Sequence, residues 1–96
     1  MHVVVIKIHL RIAGNNSLKG KRQAIRPIIA GLRNKYNVSV AEVAEQNRWQ
    51  SAVIGLSFVA SDKRLGDELV SSIMEFVNSG RFDVEVVDEQ VETIIV

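Results

Sequence analysis

Between residues 2 and 12 the chain alternates. Val4, Ile6, Ile8, Leu10 and Ile12 share one face, and Val3, Val5, Lys7, His9 and Arg11 share the other. A period of two over this length predicts a strand with one face in a core. Ala13-Gly14-Asn15-Asn16 reads as a turn, and Ser17 as a helix N-cap. The period then changes. Leu18, Ile25, Ile28, Ile29, Leu32 and Tyr36 recur at spacings of three, four and seven, which predicts an amphipathic helix to about Tyr36. Pro27 falls inside that helix. The apolar stripe keeps its phase across the proline, so a kinked but continuous helix is expected, with a second helix starting at Pro27 as the alternative. Asn37 is expected to end it in the left-handed region.

Val38 to Glu45 and Ser51 to Ala60 read as two strands joined by a short hairpin connection over 46–50. In the second of them the bulky set Ile54, Leu56 and Phe58 is assigned to the core, and Val53, Gly55, Ser57 and Val59 to the outside. Ser61 or Asp62 caps a second helix, whose stripe is Leu65, Leu69, Val70, Ile73, Phe76 and Val77. Asn78-Ser79-Gly80 stops it. A last strand runs from about Asp83 to Val96, and its alternation slips between Val86 and Val87, as at a bulge. The order is strand, helix, strand, strand, helix, strand. Two split βαβ units predict an α+β, ferredoxin-like βαββαβ sandwich: a four-stranded antiparallel sheet with two helices on one face, one domain over residues 1–96.

Charge sharpens this picture. The chain of 96 residues has net charge +1. Its first 41 residues hold eight cations and no acid, whereas residues 42–96 hold four cations and all 11 acids. Such asymmetry points to an anionic partner unless the fold intermixes the two halves. Lys19, Lys21 and Arg22 follow the cap Ser17, at a helix start where free N–H groups and the dipole already favour anions. Taking the first and third strands as parallel, both helices begin at one end of the sheet. Arg11, Ser17, Lys19, Lys21, Arg22, Lys63 and Arg64 would then form a single anion- or RNA-binding rim. On the uncovered sheet face, Val3, Val5, Val53, Val59, Val87 and Val91 are expected to form an apolar patch, with Trp49 as an anchor, buried in a homodimer.

Other chemistry is missing from the sequence. There is no Cys, which excludes disulfides and thiolate sites. His2 and His9 fall on opposite strand faces, and Glu42 and Glu45 point opposite ways, so neither pair suits metal ligation or acid–base work. No phosphate-loop, dinucleotide or nucleophile-elbow motif occurs. No catalytic residue, metal or cofactor is assigned. The run Val3-Val4-Val5-Ile6 is too short to span a bilayer and has no leader features, so a cytoplasmic protein away from membranes is expected. Gly55-Leu56-Ser57-Phe58-Val59 partly matches the stacking strand of RNA-recognition domains. Leu56 replaces the first aromatic and Phe58 faces the core, so base stacking on the sheet is rejected.

The set Ser17-Leu18-Lys19-x-Lys21-Arg22, Asn37-Val38-Ser39-Val40-Ala41-Glu42-Val43 and Trp49-Gln50 resembles the YlxP-like family of small bacterial proteins of unknown function. The resemblance spans essentially the whole chain and implies a ferredoxin-like fold. Members are commonly encoded beside translation and ribosome-maturation genes, which implies a link to RNA or the ribosome. The family offers no catalytic residue to transfer. Gly20 stands where Asp or Glu is more usual, and Pro27 is atypical. The expected function is a non-enzymatic accessory protein that binds RNA or a ribosomal particle. The alternative is a homodimeric module for a protein partner or a small anionic ligand.

Overall fold

A computed structural model describes all 96 residues, Met1–Val96. The elements are β1 (His2–Arg11), α1 (Leu18–Lys35), β2 (Ser39–Ala44), β3 (Ser51–Ala60), α2 (Lys63–Val77) and β4 (Glu85–Ile95). The sheet order is β2-β3-β1-β4, and every neighbouring pair is antiparallel. This is the α+β ferredoxin-like arrangement.

One expectation about direction is overturned. β1 and β3 are antiparallel, with His2 opposite Ala60 and Arg11 opposite Ser51. Each crossover helix returns the chain to a strand of the same direction, so β1 runs with β2 and β3 with β4. The β2–β3 hairpin then inverts β3 relative to β1. In consequence α1 begins beyond Arg11, and α2 begins beyond Ala60 at the opposite end of the sheet. Nine steps of strand separate those ends, roughly 30 Å at ~3.3 Å per residue.

The core lies where the alternation placed it. Ile6, Ile8, Ile28, Leu32, Ile54 and Ile73 are completely buried. Each such side chain contributes about 1.5–3 kcal/mol by leaving water. Phe58 is buried with them, on the helix side. The α1 stripe departs from expectation at one place. Its buried residues are Lys21, Ile25, Ile28 and Leu32, so a lysine occupies the first core position. On α2, Leu65 is exposed and Gly66 is buried in its place. A Cβ at Gly66 would already lie 3.4 Å from Val4 Cγ2, so the start of α2 rides close on the sheet. The two helices also approach closely. A Cβ at Gly31 would stand 2.7 Å from the Phe76 ring, which packs edge-on against Tyr36 (6.2 Å) and Phe82 (5.4 Å).

The helix ends follow their local chemistry. Ser17 Oγ accepts from the Gly20 N–H at 3.0 Å, and Asp62 Oδ1 accepts from the Leu65 N–H at 2.9 Å. α1 runs unbroken through Pro27. It ends at Tyr36, which is extended (φ −127) and donates its N–H to the Leu32 carbonyl. Asn37 is therefore not the left-handed terminator that was expected. The positive-φ residues are Gly14, Gly80 and a single non-glycine, Glu45 (φ 59).

Two bulges shape the sheet. β4 shifts register between the partners of His9 and Leu10, which leaves Val87 unpaired where the alternation slips. β2 shifts between Glu42 and Ala44, and Val43 is the extra residue. Val43 lies over Gly55, where a Cβ would come within 2.8 Å of its Cγ1. No helix is long and apolar enough to cross a membrane.

Candidate nucleic-acid interface

The start of α1 divides its cations by helical phase. Lys19 and Arg22 are exposed, whereas Lys21 is on the stripe with Ile25, Ile28 and Leu32 and is 1% exposed. The lysine stem fills an apolar position and carries its ammonium to β2. There it meets Glu42 Oε2 at 2.8 Å and donates to the Glu45 carbonyl at 2.6 Å. Lys21 is thus a clamp between α1 and the end of β2. It is withdrawn from the anion-binding set. Its second bond holds the carbonyl of the left-handed Glu45, the residue that turns the chain out of β2.

The single rim is not formed. Arg11, Ser17, Lys19 and Arg22 are at the α1-start end, while Lys63 and Arg64 are at the opposite end, for the directional reason given above. Lys63 and Arg64 also pair along their own helix, with Asp67 at 2.6 Å and Glu68 at 2.8 Å. Both pairs are exposed and of the i,i+4 type, worth about 0.3–0.5 kcal/mol each. Ser17 spends its hydroxyl on the cap.

A different set gathers at the α1-start end. The 45–50 connection returns beside the end of β1 because Ser51 pairs with Arg11. The result is an open cleft of about 690 Å³ bordered by Leu10, Arg11, Arg48, Trp49, Gln50 and Val87. Trp49 is 53% exposed. The loop that carries it is pinned. The Ile12 N–H donates to the Gln50 carbonyl at 2.9 Å, and the Arg48 N–H donates to the Glu45 carbonyl at 3.0 Å. Asn15 Nδ2 donates to the Trp49 carbonyl and, at 2.8 Å, to the Ser17 carbonyl. Gln50 Nε2 returns a bond to the Asn15 carbonyl at 3.2 Å. A Cβ at Gly20 would overlap Asn15 Oδ1, so the glycine leaves room for this bridge. Arg11 and Trp49 were assigned from sequence to two different surfaces; the fold puts them in one cleft. Arg48 and Gln50 were missed. Their signal was the hairpin connection itself, which the topology returns to the end of β1.

The uncovered sheet face is less apolar than expected. Val3, Val5, Val53 and Val59 do share a side, by register, with Lys7, Gly55 and Ser57. Val53 is nonetheless buried, at 3% exposure. Val91 is opposite Ile6 in the ladder, hence on the helix side of the sheet, contrary to expectation. It remains 47% exposed. The shift of phase at Val87 explains the misassignment, since one extra residue moves every later side chain to the other face. Val87 and Trp49 border the cleft.

A family profile described as "Protein of unknown function (DUF503)" matches residues 3–91. The chain belongs to this family. It is 32% identical over 63 residues to the uncharacterized protein YlxP of Bacillus subtilis (strain 168), an alignment that covers 66% of this chain and 68% of that protein. Among solved structures, the de novo designed protein Foldit4 is similar with TM-score 0.54 and 18% identity, over 99% of this chain and 98% of that one. LarC2, the C-terminal domain of a cyclometallase involved in synthesis of the NPN cofactor of lactate racemase, is similar with TM-score 0.52 and 10% identity. That likeness covers 98% of this chain and 55% of LarC2. At such identities the two structures speak to fold alone. The DUF503 match therefore carries the assignment to a family, and the site must be argued from its own residues.

Proposed function

We propose that this protein is a non-enzymatic, cytoplasmic accessory protein that binds RNA or a ribosomal particle through phosphate contacts at the α1-start end. The observation that supports it is the pairing of charges. The three ion pairs in the structure use Lys21, Lys63 and Arg64. Arg11, Lys19, Arg22 and Arg48 are exposed at one end with no carboxylate within 4.0 Å. Unpaired cations beside a helix N-terminus favour phosphate. The cleft that Arg11 and Arg48 border is lined by neither carboxylate nor imidazole, which supports binding over acid–base chemistry. The resemblance to YlxP-like proteins points the same way.

Filter binding to ribosomal RNA tests this. Lys19→Glu with Arg22→Glu should fold as the parent does, because both side chains are exposed, yet lose binding at low salt. Each phosphate contact removed should flatten the plot of log affinity against log salt by roughly 0.7–0.9. Lys63→Glu with Arg64→Glu, at the far end, is the control. Equal binding by the parent and the Lys19/Arg22 variant would overturn the reading.

β4 favours a second reading, a homodimeric module that takes a protein partner or a small anionic ligand. It is an 11-residue edge strand with Val91, Ile94 and Ile95 exposed, and an unpaired strand edge is a template for pairing with another chain. Light scattering at high protein concentration should then report twice the monomer mass. A monomer at all concentrations would remove it.

A further inference from the structure

Resting on the RNA reading above, we infer that the Arg11–Arg48–Trp49 cleft is a binding site for an unpaired nucleotide, with a base stacked on the Trp49 indole and its flanking phosphates on the two arginines. Three observations carry it. First, Trp49 leaves half its surface in water, although tryptophan is normally among the most covered side chains. Second, that exposure is built in. Asn15, Gln50, Ile12 and the Glu45 turn tie down the loop backbone on both sides of the indole, and Lys21 clamps the turn in its own right. A loop whose backbone is already fixed loses little further entropy on binding. Third, the guanidinium groups bordering the indole have no ion-pair partner. Glu85 is opposite Arg11 in the β1–β4 register, but its carboxylate makes no ion pair with the guanidinium.

An aromatic face beside free guanidinium groups matches a single strand, whose bases are available for stacking. It does not match a duplex, whose bases are stacked on one another and expose mainly phosphate. The cleft therefore selects single-stranded loops or ends within an RNA. Gln50 is at its wall, and its carboxamide oxygen adds an acceptor for a base edge while its Nε2 holds Asn15.

The chain has one Trp, so its intrinsic fluorescence reports this cleft alone. Titration with a short single-stranded oligoadenylate should quench that fluorescence, and a blunt RNA duplex of the same length should not. Trp49→Leu should weaken filter binding of the oligoadenylate by about tenfold or more, as loss of a stacking aromatic does. Arg11→Gln and Arg48→Gln should each lower the salt slope by roughly 0.7. Binding of RNA with unchanged fluorescence, and with Trp49→Leu equal to the parent, would overturn the stacking site and leave the phosphate-contact reading standing. Failure to bind either of these and ribosomal RNA as well would overturn both.

Discussion

Glu42→Ala is expected to destabilise the domain by about 3 kcal/mol, because it strands a buried ammonium. Lys21 is 1% exposed. Its remaining partner after the substitution would be the Glu45 carbonyl, a neutral acceptor. The reverse deletion should cost less. The Glu42 side chain keeps 21% exposure although its Oε2 is buried, so Lys21→Met leaves a carboxylate only partly withdrawn from water and a thioether body of similar length on the apolar stripe. We expect a loss of about 1–2 kcal/mol there, the lost bond to Glu45 included. Lys21→Met with Glu42→Leu should recover much of the loss, since a buried pair replaced by apolar groups is often neutral or better. Chemical denaturation of the four proteins, followed by circular dichroism, closes the cycle. If Glu42→Ala falls within 0.5 kcal/mol of the parent, the ion pair does not clamp the helix to the sheet.

That clamp also shows where reading the sequence succeeded and where it stopped. Period-two and period-3.6 patterns located all six elements, since burial of one face is what each pattern encodes. Ile54, Leu56 and Phe58 were legible as core for that reason, and they are buried. Lys21 reads by charge as a surface cation and by phase as a core position, and phase prevails. The stripe from Leu18 to Ile25 skips a turn, and Lys21 is the residue that completes it. The partner was also visible, as Glu42 is the first acid in the chain, but a pairing across 21 positions leaves no periodic signal. The position of Val91 failed for another reason. The slip at Val87 is legible in the alternation, but only the ladder shows that it moves Val91 to the other face. Assembly of the rim failed on strand direction, which turns Lys63 and Arg64 into a distant control, and on the burial of Lys21.

Pro27→Ala is expected to raise stability, by about 2 kcal/mol. The helix is continuous from Leu18 to Lys35, so residue 27 is a true interior position. Proline there lacks the N–H that would bond the Gln23 carbonyl, and its ring crowds that carbonyl. An interior proline is about 3 kcal/mol worse than alanine in a helix. Part of that difference is offset, because proline also restricts the unfolded chain, a gain of about 0.4–1 kcal/mol that alanine forfeits. Pro27 is exposed, so its removal opens no cavity, and Ile25 and Ile28 keep their places in the core. For a domain of this size the gain corresponds to a rise in Tm of about 5–15 °C. Calorimetry measures it directly. The substitution is also informative about function. If the RNA interface is confined to the α1-start end, Pro27→Ala should bind ribosomal RNA as the parent does while melting higher. A drop in stability instead would mean that proline sets the geometry by which Ile25 and Ile28 reach the sheet, and that α1 is held in two segments by packing rather than in one by its backbone bonds.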